Sequence, residues 1–216
     1  MLYHPSEQAS DSLYQATLSE FAIIKIYGED SFDFLQNQLS QDMRLVTAEH
    51  AQLATFSSAK GRVSANFLIW QDSGQEVPTY YAYIRQDIAQ VTQKRLSMFV
   101  LRAKVKIELL EAKVCGIWSS NLELLKQHLE LSSSVPSEAI NTQTFVVNKK
   151  EKHFFMQFPS QADNIRVLAI SLAAETPLCA ECEKANEDYW YAQDIALGLP
   201  WITEATKELF VAQSIN

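Results

Sequence analysis

Glycine is scarce, with only five in 216 residues. That scarcity excludes the glycine-rich phosphate loop and the dinucleotide-binding fingerprint, both of which need several glycines within one short turn. No nucleophile elbow and no HExxH helix occurs either, so the common hydrolase and zinc-protease signatures are absent. Cysteine is equally rare: Cys115, Cys179 and Cys182 are too few for a disulfide scaffold in a chain of this length. The four histidines (His4, His50, His128 and His153) have no metal-ligand spacing with them. Positive charge is in deficit, 18 Lys and Arg against 26 Asp and Glu, a net charge of −8. This disfavours a whole-surface attraction to nucleic acid, and direct nucleic-acid contact is not expected. No apolar run approaches the about 20 residues that cross a bilayer, so no membrane association is expected. The opening Met1-Leu2-Tyr3-His4-Pro5 lacks the basic start and apolar core of a secretory signal, which gives the cytoplasm as the expected location.

What is present is an ordinary globular composition, 47% hydrophobic and 20% charged. Residues 1–18 are polar and are expected to be poorly ordered at the start. Residues 21–27 are β-rich and end at Gly28. A helix follows, capped by Asp30 or Ser31, with Asp33 in its first turn and Phe32, Leu35 and Leu39 on one face. Residues 53–57 and 63–70 read as paired strands around a Ser-Ser-Ala-Lys-Gly turn, and residues 80–84 as a further strand. A helix is expected over 87–99 with Ile88, Val91 and Leu96 near one face, and a strand over 104–108. The pattern then repeats loosely: strand 113–118, an Asn121-capped helix carrying Leu122, Leu125 and Leu129, and strands 145–148, 153–158 and 166–171. Pro136, Pro159 and Pro177 mark loops. A last helix is expected over 181–197, ended by Gly198-Leu199-Pro200. Without regular βαβ spacing, this mixture predicts an α+β fold with antiparallel sheets.

Three clusters carry possible chemistry. Lys60-Gly61-Arg62 places two cations around a tight connection that could hold a carboxylate or phosphate; the plainer reading is a hairpin turn with solvated side chains. Cys179-Ala180-Glu181-Cys182 has the spacing of a redox pair or half a metal site. With no second pair and no histidine at ligand spacing, a chance pair of small residues is the preferred reading, and Cys115 reads as a buried hydrophobe. Tyr189-Trp190-Tyr191, with Trp201 beyond Pro200, could sandwich a flat heterocycle or simply fill a core. Asp188 and Asp194 flank them and could bond a ring N–H or face solvent.

Four segments in order, namely Gly28-Glu29-Asp30 leading to Phe34 through Asp42, Ser58 through Val63 running into Asn66-Phe67-Leu68-Ile69, Phe99 through Val105, and Trp190 through Pro200 with Phe210 through Asn216 behind it, resemble the YgfZ-type folate-binding proteins. These are relatives of the aminomethyltransferase (T-protein) of the glycine cleavage system. The resemblance spans nearly the whole chain and rests on the order and spacing of the set. It implies two interleaved antiparallel-sheet domains with helices, approximately 1–50 plus 111–180 and 51–110 plus 181–216. A C-terminal β-barrel and a Lys-Gly-Cys-Tyr-x-Gly-Gln-Glu motif would follow in the family; neither is in this sequence, which therefore reads as a fragment.

The resemblance also implies a central cavity for tetrahydrofolate or a related reduced folate, stacked between Phe21, which stands where the family has a tryptophan, and Trp190. Lys60 and Arg62 would serve the glutamate end of the folate. Asn66 stands where the aminomethyltransferases place an aspartate, and an amide cannot take a proton as a carboxylate can. Ala196 stands where the family has a pterin-holding glutamate, which implies either that Asp194 takes that role or that pterin recognition is weak. Both departures imply no catalytic residue and favour an accessory factor for iron–sulfur enzymes such as tRNA methylthiotransferases, acting indirectly, over the alternative of an aminomethyltransferase that moves a one-carbon unit to tetrahydrofolate.

Overall fold

The sequence Phe-Ala-Ile-Ile-Lys-Ile-Tyr forms a strand because β-branched and aromatic side chains suit a pleated surface covered on both faces. In the computed structural model, which describes residues 12–131, 144–160, 164–173, 179 and 181–215, this stretch is buried along almost its whole length. The chain divides into two units, Met1–Leu18 with Ala112–Leu199 and Ser19–Glu111 with Pro200–Asn216.

In the first unit the strands are β1 (Tyr14–Thr17), β7 (Lys113–Ser119), β8 (Thr144–Lys150), β9 (His153–Phe158), β10 (Ile165–Ser171) and β11 (Glu183–Lys184). They lie in the order β11-β1-β7-β10-β9-β8. The β1–β11 pair is parallel and the others are antiparallel, so the sheet is mixed. Helices α3 (Leu122–Leu129) and α4 (Asp188–Ala196) accompany it. The side chain of Asn121 accepts from Leu124 N and caps α3, which buries Leu125 and Leu129. Of the stretch 1–18, expected to be poorly ordered at its start, residues 1–11 lie outside the described residues, and pairing with β7 fixes Tyr14–Thr17 as a strand.

The second unit holds β2 (Phe21–Tyr27), β3 (His50–Ser57), β4 (Val63–Gln71), β5 (Thr79–Arg85) and β6 (Lys106–Leu110) in the all-antiparallel order β3-β4-β5-β2-β6. Helices α1 (Ser31–Gln38) and α2 (Gln86–Ser97) add Phe34, Leu35, Ile88, Ala89 and Leu96 to the core formed by Ala22, Ile24, Ile26, Ala65, Phe67 and Ile69.

Helix faces and ends differ from the sequence reading in particular places. In α1 the buried positions are Ser31, Phe34 and Leu35; Leu39 is buried too but lies beyond the helix in extended backbone, and Phe32 is half-buried. Asp30 makes no side-chain cap. Its Oδ2 instead accepts from Lys104 N at 2.7 Å. On α2, Val91 is 47% exposed and Thr92 takes its place inside. The last helix begins at Asp188 rather than 181, because Glu183 and Lys184 pair with Tyr14 and Gln15. The units break after Leu18, Glu111 and Leu199, where the resemblance suggested 50, 110 and 180. Strand β2 pairs with β5 and β6, which assigns the chain from Ser19 onward to the second unit. Pro136 and Pro177 lie outside the described residues, whereas Pro159 stands in a loop as expected.

Cys179 and Cys182 are joined as a disulfide, which corrects the reading of a chance pair. Cys115 is buried as anticipated, and burial pushes its thiol pKa up.

Candidate functional site

The second unit contributes Phe21, Lys60, Arg62 and Asn66. Phe21 opens β2 and Tyr83 lies on β5, two residues from Arg85, which is directly opposite Phe21. This diagonal relation brings the two rings onto the same face. They stack with centroids 4.1 Å apart and planes within 9°. Trp201 meets both edge-on, at 5.1 Å from Phe21 and 5.2 Å from Tyr83. The Arg85 guanidinium lies 5.3 Å from the Phe21 centroid and is itself paired with Glu20.

Trp201 sits there because Asn66 holds the backbone on either side of it. From its buried place on β4, Asn66 donates through Nδ2 to Pro200 O at 2.7 Å and accepts through Oδ1 from Ile202 N at 2.7 Å. Ile202 then enters the core. An aspartate could accept from Ile202 N but could not donate to Pro200 O. The amide is therefore a structural clamp, held at both ends by backbone partners, and offers no base.

Lys60 and Arg62 are exposed in the β3–β4 turn, where Gly61 N donates to Ser58 O and Ser58 N to Arg62 O. Arg62 Nη1 donates to Leu209 O, and Val63 N to Phe210 O. The turn is thus fastened to the returning C-terminal segment, partly by the Arg62 guanidinium itself, while Lys60 is exposed.

A further joint ties the first and third segments of the resemblance. Gly28 has φ +134°, and an added Cβ would lie 2.0 Å from Lys104 O. Only glycine fits that approach. Lys104 Nζ pairs with Glu29 at 2.6 Å.

The first unit contributes Trp190 and Asp194. Trp190 is fully buried. An added Cβ at Gly116 would lie 2.3 Å from Trp190 Cε3, so the ring packs directly on the β7 backbone. The Arg166 guanidinium carbon lies 4.5 Å from its centroid, and Phe158 is 5.2 Å away. Asp194, 2% exposed, accepts from Arg166 Nη1 at 2.9 Å. Arg166 is fully buried and also donates to Trp190 O and, through Nε and Nη2, to Pro159 O. Asp194 is engaged by this cation.

Sequence reasoning did not single out Arg166, Gln193 or Tyr83. Arg166 had one visible signal, a lone charge in an otherwise apolar strand. Gln193 follows Trp190 by one helical turn, and its Oε1, like Trp190 Nε1, is buried with no hydrogen-bond partner among the described residues. One unpaired donor and one unpaired acceptor thus lie a helical turn apart on α4. They are complementary to a heterocycle carrying both kinds of group. Among the described residues no group of three or more His, Cys, Asp and Glu could hold a metal ion, and no helix is long and apolar enough to cross a membrane.

The chain is similar to the tRNA-modifying protein YgfZ of Escherichia fergusonii, with 24% identity over 216 residues, covering 98% of this chain and 63% of that protein. It is likewise similar to the tRNA-modifying protein YgfZ of Buchnera aphidicola subsp. Acyrthosiphon pisum, with 25% identity over 223 residues, covering 100% of this chain and 65% of that protein. The chain therefore spans less than two thirds of the length of the curated relatives it matches. No protein-family model matches it. Among solved structures, the glycine cleavage system aminomethyltransferase T of Bartonella henselae aligns with a TM-score of 0.59 and 11% identity, over 76% of this chain and 43% of that one. The chain thus resembles YgfZ along nearly its whole length and shares its fold with an aminomethyltransferase T.

Proposed function

We propose that this chain is a YgfZ-like accessory protein for tRNA modification that binds tetrahydrofolate or a related reduced folate and performs no one-carbon transfer on it. The observation that carries this reading is the Asn66 clamp. At the position where the resemblance places the transferase aspartate, both ends of an amide are taken by Pro200 and Ile202. A group so placed can shape a wall and cannot abstract a proton.

Taken unit by unit, the residues differ in what they can offer a folate. Trp201 supplies aromatic surface, backed by the buried Phe21–Tyr83 stack. Trp190 Nε1 and Gln193 Oε1 supply a buried donor and acceptor suited to the edge of a pterin. Arg166 and Asp194 fix the turn of α4 that carries them. Lys60 and Arg62, exposed in their turn, suit the carboxylates of the glutamate tail. A bound folate would bring one-carbon carrier chemistry; the chain's own groups hold and orient. Through this ligand the protein serves iron–sulfur enzymes of the tRNA methylthiotransferase kind in the cytoplasm, without needing to grip tRNA itself at a net charge of −8.

Titration of tryptophan fluorescence with tetrahydrofolate tests the ligand. Saturable quenching is expected, with Phe21→Ala and Gln193→Leu each weakening it roughly tenfold, the loss of about one good contact. Quenching that never saturates, or that both variants leave unchanged, would overturn the reading. The cellular role is checked by deleting the gene and quantifying methylthio-modified tRNA, which should fall. The competing transferase reading predicts methylene-tetrahydrofolate from an aminomethyl-lipoyl donor, and none is expected.

A further inference from the structure

The disulfide between Cys179 and Cys182 lies outside everything the folate reading uses. Both cysteines are partly accessible and pack against the edge of the cluster formed by Leu13, Leu125 and Leu129. Their separation of three residues closes a very small loop. Loop-closure entropy grows with loop length, so a bridge this short ranks among the weakest restraints on an unfolded chain. Stapling the fold therefore explains it poorly, whereas the CxxC spacing is that of reversible dithiol–disulfide couples.

Its surroundings give the redox state something to act on. Glu181, inside the loop, reaches His128 Nε2 on α3 at 2.7 Å, while His128 Nδ1 contacts Leu124 O at 2.8 Å. Immediately after Cys182 the chain forms β11, only two residues long, held at the edge of the sheet. Glu183 N donates to Leu13 O and Ala185 N to Gln15 O, each at 2.8 Å. A strand that short has little intrinsic stability, and its position depends on how the preceding residues are tied. The third cysteine does not compete: Cys115 is fully buried and its thiol is held in the protonated form by burial.

We propose that Cys179 and Cys182 form a reversible thiol–disulfide exchange site, open to external thiols, whose reduction loosens β11 from β1. An external thiolate attacks one of the two sulfurs. A bond forms between it and that sulfur, the Cys179–Cys182 bond breaks, and the electron pair leaves on the other sulfur, which takes a proton from water. A second external thiolate then attacks the mixed disulfide. The products are two cysteine thiols and one external disulfide, with two electrons passed from the external thiols to the bridge. A low-molecular-weight disulfide such as oxidised glutathione reverses the sequence.

The test uses the full chain under native conditions. After millimolar dithiothreitol and alkylation, intact mass and peptide mapping should show two new alkyl groups, at Cys179 and Cys182, with Cys115 unlabelled, and oxidised glutathione should restore the bridge. Amide hydrogen exchange at Glu183 and Ala185 should rise roughly tenfold in the reduced form while the β7–β10 amides keep their protection. Cys179→Ser treated with oxidised glutathione should carry one mixed disulfide at Cys182. The wild-type labelling stands by itself if that variant does not fold. A bridge reduced only in denaturant, alkylation of both cysteines without prior reduction, or unchanged exchange at Glu183 and Ala185 would each overturn the proposal.

Discussion

Asn66 shows how far the identity of one atom decides between chemistry and scaffolding. Its Nδ2 donates and its Oδ1 accepts, and both bonds hold the chain that carries Trp201. Asn66→Asp keeps the acceptor and sets a carboxylate oxygen against Pro200 O, so the variant should lose about 1–3 kcal/mol in urea denaturation, with altered Trp201 fluorescence. Unchanged stability would show that the clamp is not holding the segment. Tyr81 supplies a test by pH. Burial, aided by the negative charge of Asp72, pushes its pKa up to about 12 from 10.0. Because the folded-state value is the higher one, this contribution is complete below pH 10 and is lost as pH rises toward about 12, some 2–3 kcal/mol from this group. Burial raises Tyr80 in the same direction. Denaturation series at pH 9 and near pH 12 check the fall; a flat profile contradicts it. At this scale the sequence was legible where a residue's role is local, as with Asn121 and the cap on α3. It was not legible for Asn66, whose partners lie 134 and 136 positions away.

Elements were legible where their pattern is set by their own residues. The strands from 21, 63, 113 and 153 begin where β-branched and aromatic runs begin. The start of α4 was not legible, because residues 183–184 are recruited as a strand by β1 from the far end of the sequence. Asn186 then accepts from Asp188 N and lets the helix start afresh. Helix α4 is anchored in turn by the buried Arg166–Asp194 pair. Removing one partner leaves the other charge buried, so Arg166→Met or Asp194→Leu alone should lose roughly 3–5 kcal/mol. The double variant, with both charges gone, should lose clearly less than the sum. Denaturation of the four proteins of this cycle checks the coupling; additive losses would mean that Arg166 serves the Pro159 and Trp190 carbonyls rather than Asp194.

At the scale of the whole molecule, the four segments that carry the family resemblance are those that join distant parts of the chain. Gly28 meets Lys104, the 58–66 region meets residues 200–210, and Trp190 meets Gly116. A resemblance built on such joints speaks most directly about fold, which is why a likeness to the aminomethyltransferase fold could be anticipated while the parallel β1–β11 pair and the fate of single side chains such as Asp194 could not. The chain leaves the second unit at Glu111 and returns to it only at Pro200. That return supplies Ile202 to the core, both partners of Asn66, and the Glu208 N to Val63 O and Val63 N to Phe210 O bonds beside the β3–β4 turn. A chain stopped after Leu199 therefore lacks a buried isoleucine and leaves the Asn66 amide without its backbone partners. Loss of the isoleucine alone is worth about 2–5 kcal/mol, so the shortened protein should denature at markedly lower urea concentration. A synthetic peptide covering residues 200–215 should restore part of that loss in a concentration-dependent way, as expected when a segment binds only the folded state. If the shortened chain were as stable as the original, residues 200–215 would be an appendage, and the aromatic cluster around Trp201 would lose its claim to be part of a built site.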